Sequence, residues 1–195
     1  MSRPPTLFLA VELPQAVRQQ LTPLIDQLAA LDRKVRPAGP EGLHLTIRFL
    51  GPVAPHEEEA VRLVAARVAQ ETAAFPLEVE GLGIFEKANQ PQVIWAGVGA
   101  GEVELKRLAG ALSSGLAEKG WPLERRPLRA HCTLARLSGL LAASSRAALA
   151  EICDQARAGP PLATRVQRMA LLESVTVPGG PNRYPCRGSW PFQRS

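Results

Sequence analysis

Residues 43–50 read LHLTIRFL, and apolar side chains alternate with polar ones over six positions, the period of a strand with one buried face. Leu45 and Ile47 anchor the core side, while His44 and Thr46 emerge together on the other. Gly51-Pro52 ends the strand. The His-x-Thr-apolar pattern returns as His131-Cys132-Thr133-Leu134 inside a second strand candidate, residues 128–137. The spacing is 87 residues, and the same offset carries Phe8 to Trp95, Val79 to Val166 and Leu82 to Met169. Each half reads strand, helix, His-x-Thr strand, helix, strand. Two similar lobes facing one another are the simplest architecture with that pattern.

The flanking elements support this reading. Residues 6–12 (TLFLAVE) form an apolar run suited to a buried strand, and Pro14 opens a helix over 15–31. In that helix Val17, Leu21, Leu24, Ile25, Leu28 and Leu31 recur at helical spacing, and Pro23 is expected to kink it. A second helix, 56–71, turns Val61, Val64, Ala65 and Val68 inward. Its Glu57, Glu58 and Glu59 read as capping and surface charge at the positive end. Strands over 77–85 and 92–98 are separated by a turn at 87–91, and a helix over 102–119 closes on Gly120. A helix over 143–157, a strand over 165–173 and a Gly-Pro-rich hairpin leading to Tyr184 and Trp190 complete the chain.

The 195 residues suit one bilobal unit, residues 1–195, with 46% hydrophobic and 21% charged side chains. No apolar run approaches the roughly 18 to 20 residues of a bilayer span, so no membrane partner is expected. The N-terminus lacks the apolar core of a signal peptide. Cys132, Cys153 and Cys186 are odd in number and scattered, which favours reduced thiols and a cytoplasmic protein. A monomer without an obligate protein partner is the default. The net charge of +5 favours encounter with polyanions, although the arginines are spread along the chain rather than clustered.

If both His-x-Thr pairs face one cleft, a neutral imidazole removes a proton from water while a protonated one supplies the leaving oxygen. Thr46 and Thr133 then hydrogen-bond the phosphoryl oxygens, an arrangement suited to phosphodiester cleavage without cofactor or metal. A lone strand histidine is ordinarily structural. Two of the three histidines in one tetrapeptide pattern, in equivalent elements, shift the balance. A zinc or di-metal hydrolase lacks a clustered ligand set here. A nucleotide-binding or RNA-binding module that uses the same cleft without turnover is the other alternative. Arg48 shares the parity of His44 and Thr46, which puts it at the cleft or its rim. Phe8, Phe49, Trp95 and Tyr184 offer aromatic faces for core packing or base stacking. His56 reads as solvent-facing and Cys132 as a small side chain behind its strand.

The segments LFLAVELP (7–14), GLHLTIRFLG (42–51), GLGIF (81–85), VIWAGV (93–98), RPLRAHCTLAR (126–136) and LLES (171–174) resemble, in order and spacing, the two-histidine (2H) phosphoesterases. Within these they are similar to the RNA 2',3'-cyclic phosphodiesterases once called 2'-5' RNA ligases. The resemblance implies an α+β, pseudo-two-fold bilobal fold whose two antiparallel sheets line a central cleft with helices outside. It implies opening of RNA 2',3'-cyclic phosphate ends to 2'-phosphates, and weak reversible 2'-5' joining. Its substrates would be RNA ends such as tRNA halves, or cyclic nucleotides. It makes His44 the proton donor and His131 the acceptor, an assignment that near-symmetric motifs cannot make alone. Arg136 matches the arginine ending the second motif. Strand parity turns it away from His131 unless a bulge intervenes, so phosphate contact and a surface role both stand. Phe8, Arg48 and Tyr184 are further candidates for substrate contact. Two places depart from the family pattern: Thr6 stands where an arginine is frequent, and residues 35–41 lack a frequent aromatic.

Overall fold

The computed structural model describes residues 3–87, 90–124 and 126–193 and builds them into nine strands and four α-helices. In chain order they are β1 (Thr6–Glu12), α1 (Gln15–Ala30), β2 (Val35–Pro37), β3 (His44–Pro52), α2 (Pro55–Gln70), β4 (Phe75–Lys87) and β5 (Gln90–Val98). Then come α3 (Glu102–Ala117), β6 (Cys132–Leu137), α4 (Ala143–Ala158), β7 (Leu162–Val166), β8 (Arg168–Glu173) and β9 (Cys186–Pro191). The turn expected at 87–91 includes residues 88 and 89, which lie outside the described residues. Among the described residues no helix is long and apolar enough to cross a membrane.

The strands follow the order β7-β4-β5-β6-β3-β1-β8-β9, and every ladder between them is antiparallel. The two antiparallel sheets expected from the sequence are halves of one continuous sheet, joined between β3 and β6 at one residue pair, Leu45 with Cys132. Beyond that point the motif strands part. The short strand β2, absent from the sequence reading, takes the vacated edge of β6, pairing Val35, Arg36 and Pro37 with Leu137, Arg136 and Ala135. The third strand of each half of the sequence crosses over: β4 pairs with β5, and β8 pairs with β1. Each half-sheet therefore needs a strand from the other half of the sequence.

The 87-residue offset maps α1 onto α3 residue for residue. It also holds between β4 and β8, but the first strands break it by two. Phe8 pairs with Phe49, and the equivalent of Phe49, Arg136, pairs with Val93 rather than Trp95. Trp95 takes the place of Ala10, since Ala10 pairs with Thr46 and Trp95 with Thr133. A shift of two preserves side-chain parity. The longer connection from β5 to α3 absorbs it through Gly101 at φ 90°, where a Cβ would stand 2.5 Å from the Pro76 carbonyl oxygen.

One face of the sheet carries the helices. α3 packs on β3, α1 on β6, α4 on β4, and α2 on β8 and β9. Leu9, Leu45, Leu134 and Leu171 are fully buried beneath them, so the strand faces opposite the histidines form the main core, as alternation requires. α1 runs on through Pro23, which is exposed. The strand expected over 165–173 breaks at Gln167, where the chain leaves the β4 ladder for the β1 ladder. Glu57 caps α2, its carboxylate accepting from the Ala54 amide at 2.8 Å. Glu58 is buried instead of surface charge. It accepts from Arg62 at 2.6 Å and from Arg187 of β9 at 3.0 Å, tying the helix to the edge strand.

Gly83 pairs with Trp95 across the β4–β5 ladder, and the indole lies over it so closely that a Cβ there would come within 2.1 Å of the ring. Gly83→Ala is expected to lower unfolding free energy by about 1–3 kcal/mol through overpacking, read as a urea midpoint that falls with unchanged m-value. An unchanged midpoint would show that the indole is free to move aside.

Candidate active site

The two motif strands carry matching irregularities. On β3, Leu9 faces Arg48 while Ala10 faces Thr46, leaving Ile47 as an extra residue. On β6, Ile94 faces Ala135 while Trp95 faces Thr133, leaving Leu134 extra at the equivalent position. A bulge inverts the parity of the residues after it. Arg48 therefore turns into the protein: it is 6% exposed, paired with Glu124 and bonded to the Pro122 carbonyl. The placement of Arg48 at the cleft rim is thereby corrected, because alternation does not survive Ile47. On β6 the same inversion brings Arg136 to the side of Thr133.

His44, Thr46, His131, Thr133 and Arg136 line one solvent-open cleft of about 170 Å³. His131 stands just before β6, which begins at Cys132 rather than at 128. Tyr184 and Asn182, from the segment after β8, line the same cleft. Phe8 stays beneath the surface at 3% exposure, its ring 4.9 Å from that of His44. It supports the imidazole and offers no free face for a base. Tyr184 meets the same imidazole edge-on at 4.7 Å. His131 is held by Phe85, edge-on at 4.9 Å, and by Trp95 at 6.1 Å, and the Arg129 guanidinium lies over both of those rings.

A second symmetry fixes the protons. The Nδ1 of His44 lies 2.7 Å from the Gly42 carbonyl oxygen, and the Nδ1 of His131 lies 2.8 Å from that of Arg129. A carbonyl only accepts, so each Nδ1 carries the hydrogen and donates it. Nε2 is then the free nitrogen of each neutral ring, available to take or give one proton. Burial depresses both imidazoles. It brings His44 down from 6.5 to about 4, with the charges of His131 and Arg136 adding to the effect and the Gly42 bond opposing it. His131 is lowered for the same main reason, assisted by Arg136 and Arg129. A bound anion would offset these costs. With Arg36 and Arg136 on its lining as well, the cleft can receive an anion.

Cys132 is buried behind its strand, with its thiol pushed up to about 12 by burial, and His56 is exposed at the start of α2. Among the described residues no three of His, Cys, Asp and Glu cluster as metal ligands. Sequence reasoning missed Arg36 and Asn182, both cleft residues. Arg36 sits in a strand too short to show a period, and Asn182 in a loop whose path is set by tertiary contacts.

The sequence matches the 2'-5' RNA ligase superfamily over residues 13–177. It is 33% identical over 132 residues to the RNA 2',3'-cyclic phosphodiesterase of Archaeoglobus fulgidus, spanning 67% of this chain and 72% of that protein. To the Escherichia coli protein of the same description it is 34% identical over 138 residues, 70% of this chain and 74% of that one. Among solved structures, TT0787 of Thermus thermophilus superposes with a TM-score of 0.78 at 27% identity, covering 96% of this chain and 97% of that one. Escherichia coli LigT complexed with 3'-AMP superposes with a TM-score of 0.72 at 28% identity, covering 97% and 98%.

The depressed imidazoles make stability depend on pH. The unfolded chain protonates its histidines near 6.5, whereas folded His44 does so only near 4. Stability is therefore full above 6.5 and is lost as pH falls toward 4. Between pH 7 and 5 the loss from His44 is expected to be about 1–2 kcal/mol. Urea titrations at the two pH values should show this slope, and His44→Asn should flatten it. Equal slopes in the two proteins would contradict the buried neutral ring.

Proposed function

The chain belongs to the 2'-5' RNA ligase superfamily, and we propose that it hydrolyses RNA 2',3'-cyclic phosphate ends to 2'-phosphomonoesters by two-histidine acid–base catalysis. The observation that carries this reading is the pair of free Nε2 atoms in one cleft, each freed by an Nδ1–H bond to a carbonyl two residues upstream. RNA 2',3'-cyclic phosphodiesterases are what its curated relatives are named, and residues 1–195 act in this reading as one bilobal unit.

His131, the less buried imidazole, takes a proton on Nε2 from an attacking water. The water oxygen bonds to phosphorus, and the bond from phosphorus to O3' breaks. His44, shielded by Phe8 and Tyr184, gives its Nε2 proton to O3'. A 2'-phosphate and a free 3'-hydroxyl result. The negative charge of the bound phosphodiester opposes the desolvation that keeps His44 neutral in the free protein, so substrate binding favours loading of the acid. Thr46, Thr133 and Arg136 hold the nonbridging oxygens as charge builds there. No step passes through a metal. A 5'-hydroxyl in place of water would yield a 2'-5' bond, which is the weak reversible ligation. Broken tRNA halves, other RNA fragments and cyclic nucleotides all present the same ring.

His44→Ala and His131→Ala are each expected to slow opening of a cyclic-phosphate RNA by about 10²–10⁴-fold while circular dichroism stays native. The wild-type rate should follow a bell-shaped pH profile and persist in excess chelator. Tight binding of the RNA end with no phosphomonoester formed would instead favour a binding module, and near-normal turnover in either variant would remove that histidine from the reaction.

A further inference from the structure

Across the β2–β6 ladder, Arg36 stands directly opposite Arg136. Opposed residues on antiparallel strands point to the same face with Cβ atoms about 4.5–5.5 Å apart, and like charges there are destabilising. Neither guanidinium has a carboxylate partner among the described residues. Both line the histidine cleft. The proposed reaction gives Arg136 one phosphate to hold and leaves Arg36 without a role.

The cleft also continues past Arg36. Arg36, Gly39, Gly180 and Pro181 wall both the histidine site and an adjoining groove of about 630 Å³. The groove runs between α1, β2 and the loop after β8, with Arg33 on its lining. Asp26 of α1 is the one carboxylate on that lining among the described residues. Arg33, like Arg36, makes no salt bridge among them, although its charge also acts on the neighbouring Asp32 carboxylate. Two cations thus lead away from the site along a channel bounded by glycine and proline, where a backbone can lie close.

We infer that Arg36 is a substrate-positioning residue, binding the phosphodiester immediately upstream of the cyclic end, and that the groove toward Arg33 carries the next part of the strand. Resting on the proposed reaction, this makes oligoribonucleotides the preferred substrate class over free cyclic mononucleotides. A mononucleotide has a single phosphate, which the histidines and Arg136 claim, so it gains little from Arg36. An oligonucleotide end supplies a second phosphate to the opposed guanidinium and relieves the like-charge contact.

The test compares a trinucleotide ending in a 2',3'-cyclic phosphate with a 2',3'-cyclic mononucleotide, in wild type and Arg36→Gln. The trimer-to-mononucleotide ratio of kcat/KM is expected to fall about tenfold in the variant, mainly through KM, as loss of one charge-assisted bond to phosphate implies. The dependence of log(kcat/KM) for the trimer on log[salt] should flatten by about 0.7. An unchanged ratio, or equal losses on both substrates, would overturn the assignment. Calorimetric binding of a trinucleotide 3'-phosphate against a nucleoside 3'-phosphate separates this inference from the proposed reaction. If wild type opens neither cyclic substrate, the reaction fails, yet a variant-specific loss of trimer affinity would still support the track and its absence would refute it.

Discussion

The orientation of two imidazole rings is the constraint on which the rest of the site depends. Each ring donates Nδ1–H to the carbonyl two residues before it, Gly42 for His44 and Arg129 for His131. That local bond fixes the tautomer and the ring's pitch together. It needs the backbone to approach each motif strand in the same way, which the repeated architecture supplies. Aromatic neighbours, Phe8 and Tyr184 on one side and Phe85 and Trp95 on the other, hold the rings against rotation. The cost is desolvation, visible in the lowered pKa of both histidines. Both rings are thereby held neutral in the free protein, and a bound anion would favour their protonation.

The fold brings these rings together by joining its halves sparingly at the centre and firmly at the flanks. A single pair, Leu45 with Cys132, links the motif strands, so the sheet opens beside the histidines. The exchanged strands β4 and β8 bind each half-sheet to the other half of the sequence. Bulges at Ile47 and Leu134 then decide which arginine serves the cleft. The one on β3 buries Arg48 against Glu124, and the one on β6 delivers Arg136.

Much of this was legible in the sequence, and the failures share a physical cause. Period-two alternation at His44-Leu45-Thr46-Ile47 and its echo at His131 sufficed to pair each histidine with a threonine on one face and to suggest duplication. Alternation carries no information past an irregularity, however, and a bulge without glycine leaves no mark in composition. Arg48 was therefore misplaced, while the bulge that Arg136 required had to be seen. The match of Phe8 with Trp95 was a sequence coincidence two residues out of register, since only ladder pairing distinguishes Val93 from Trp95 as the partner position. The break at Gln167 and the strand β2 are products of topology: one is where the chain changes ladders, the other fills an edge that β3 abandons. Glu58 read as solvated because its partner, Arg187, lies 129 residues away.

The central claim is that both Nε2 atoms address one phosphoryl group. Nitrogen-15 NMR of the histidine side chains, titrated with a nucleoside 2'-monophosphate at fixed pH, tests it most directly. Both Nε2 resonances should move together along one saturation curve, with Nδ1 of each remaining protonated and at least one Nε2 taking up a proton as the anion binds. Movement of one imidazole alone, or two curves with separate midpoints, would show that the rings serve different places and that the shared site does not exist.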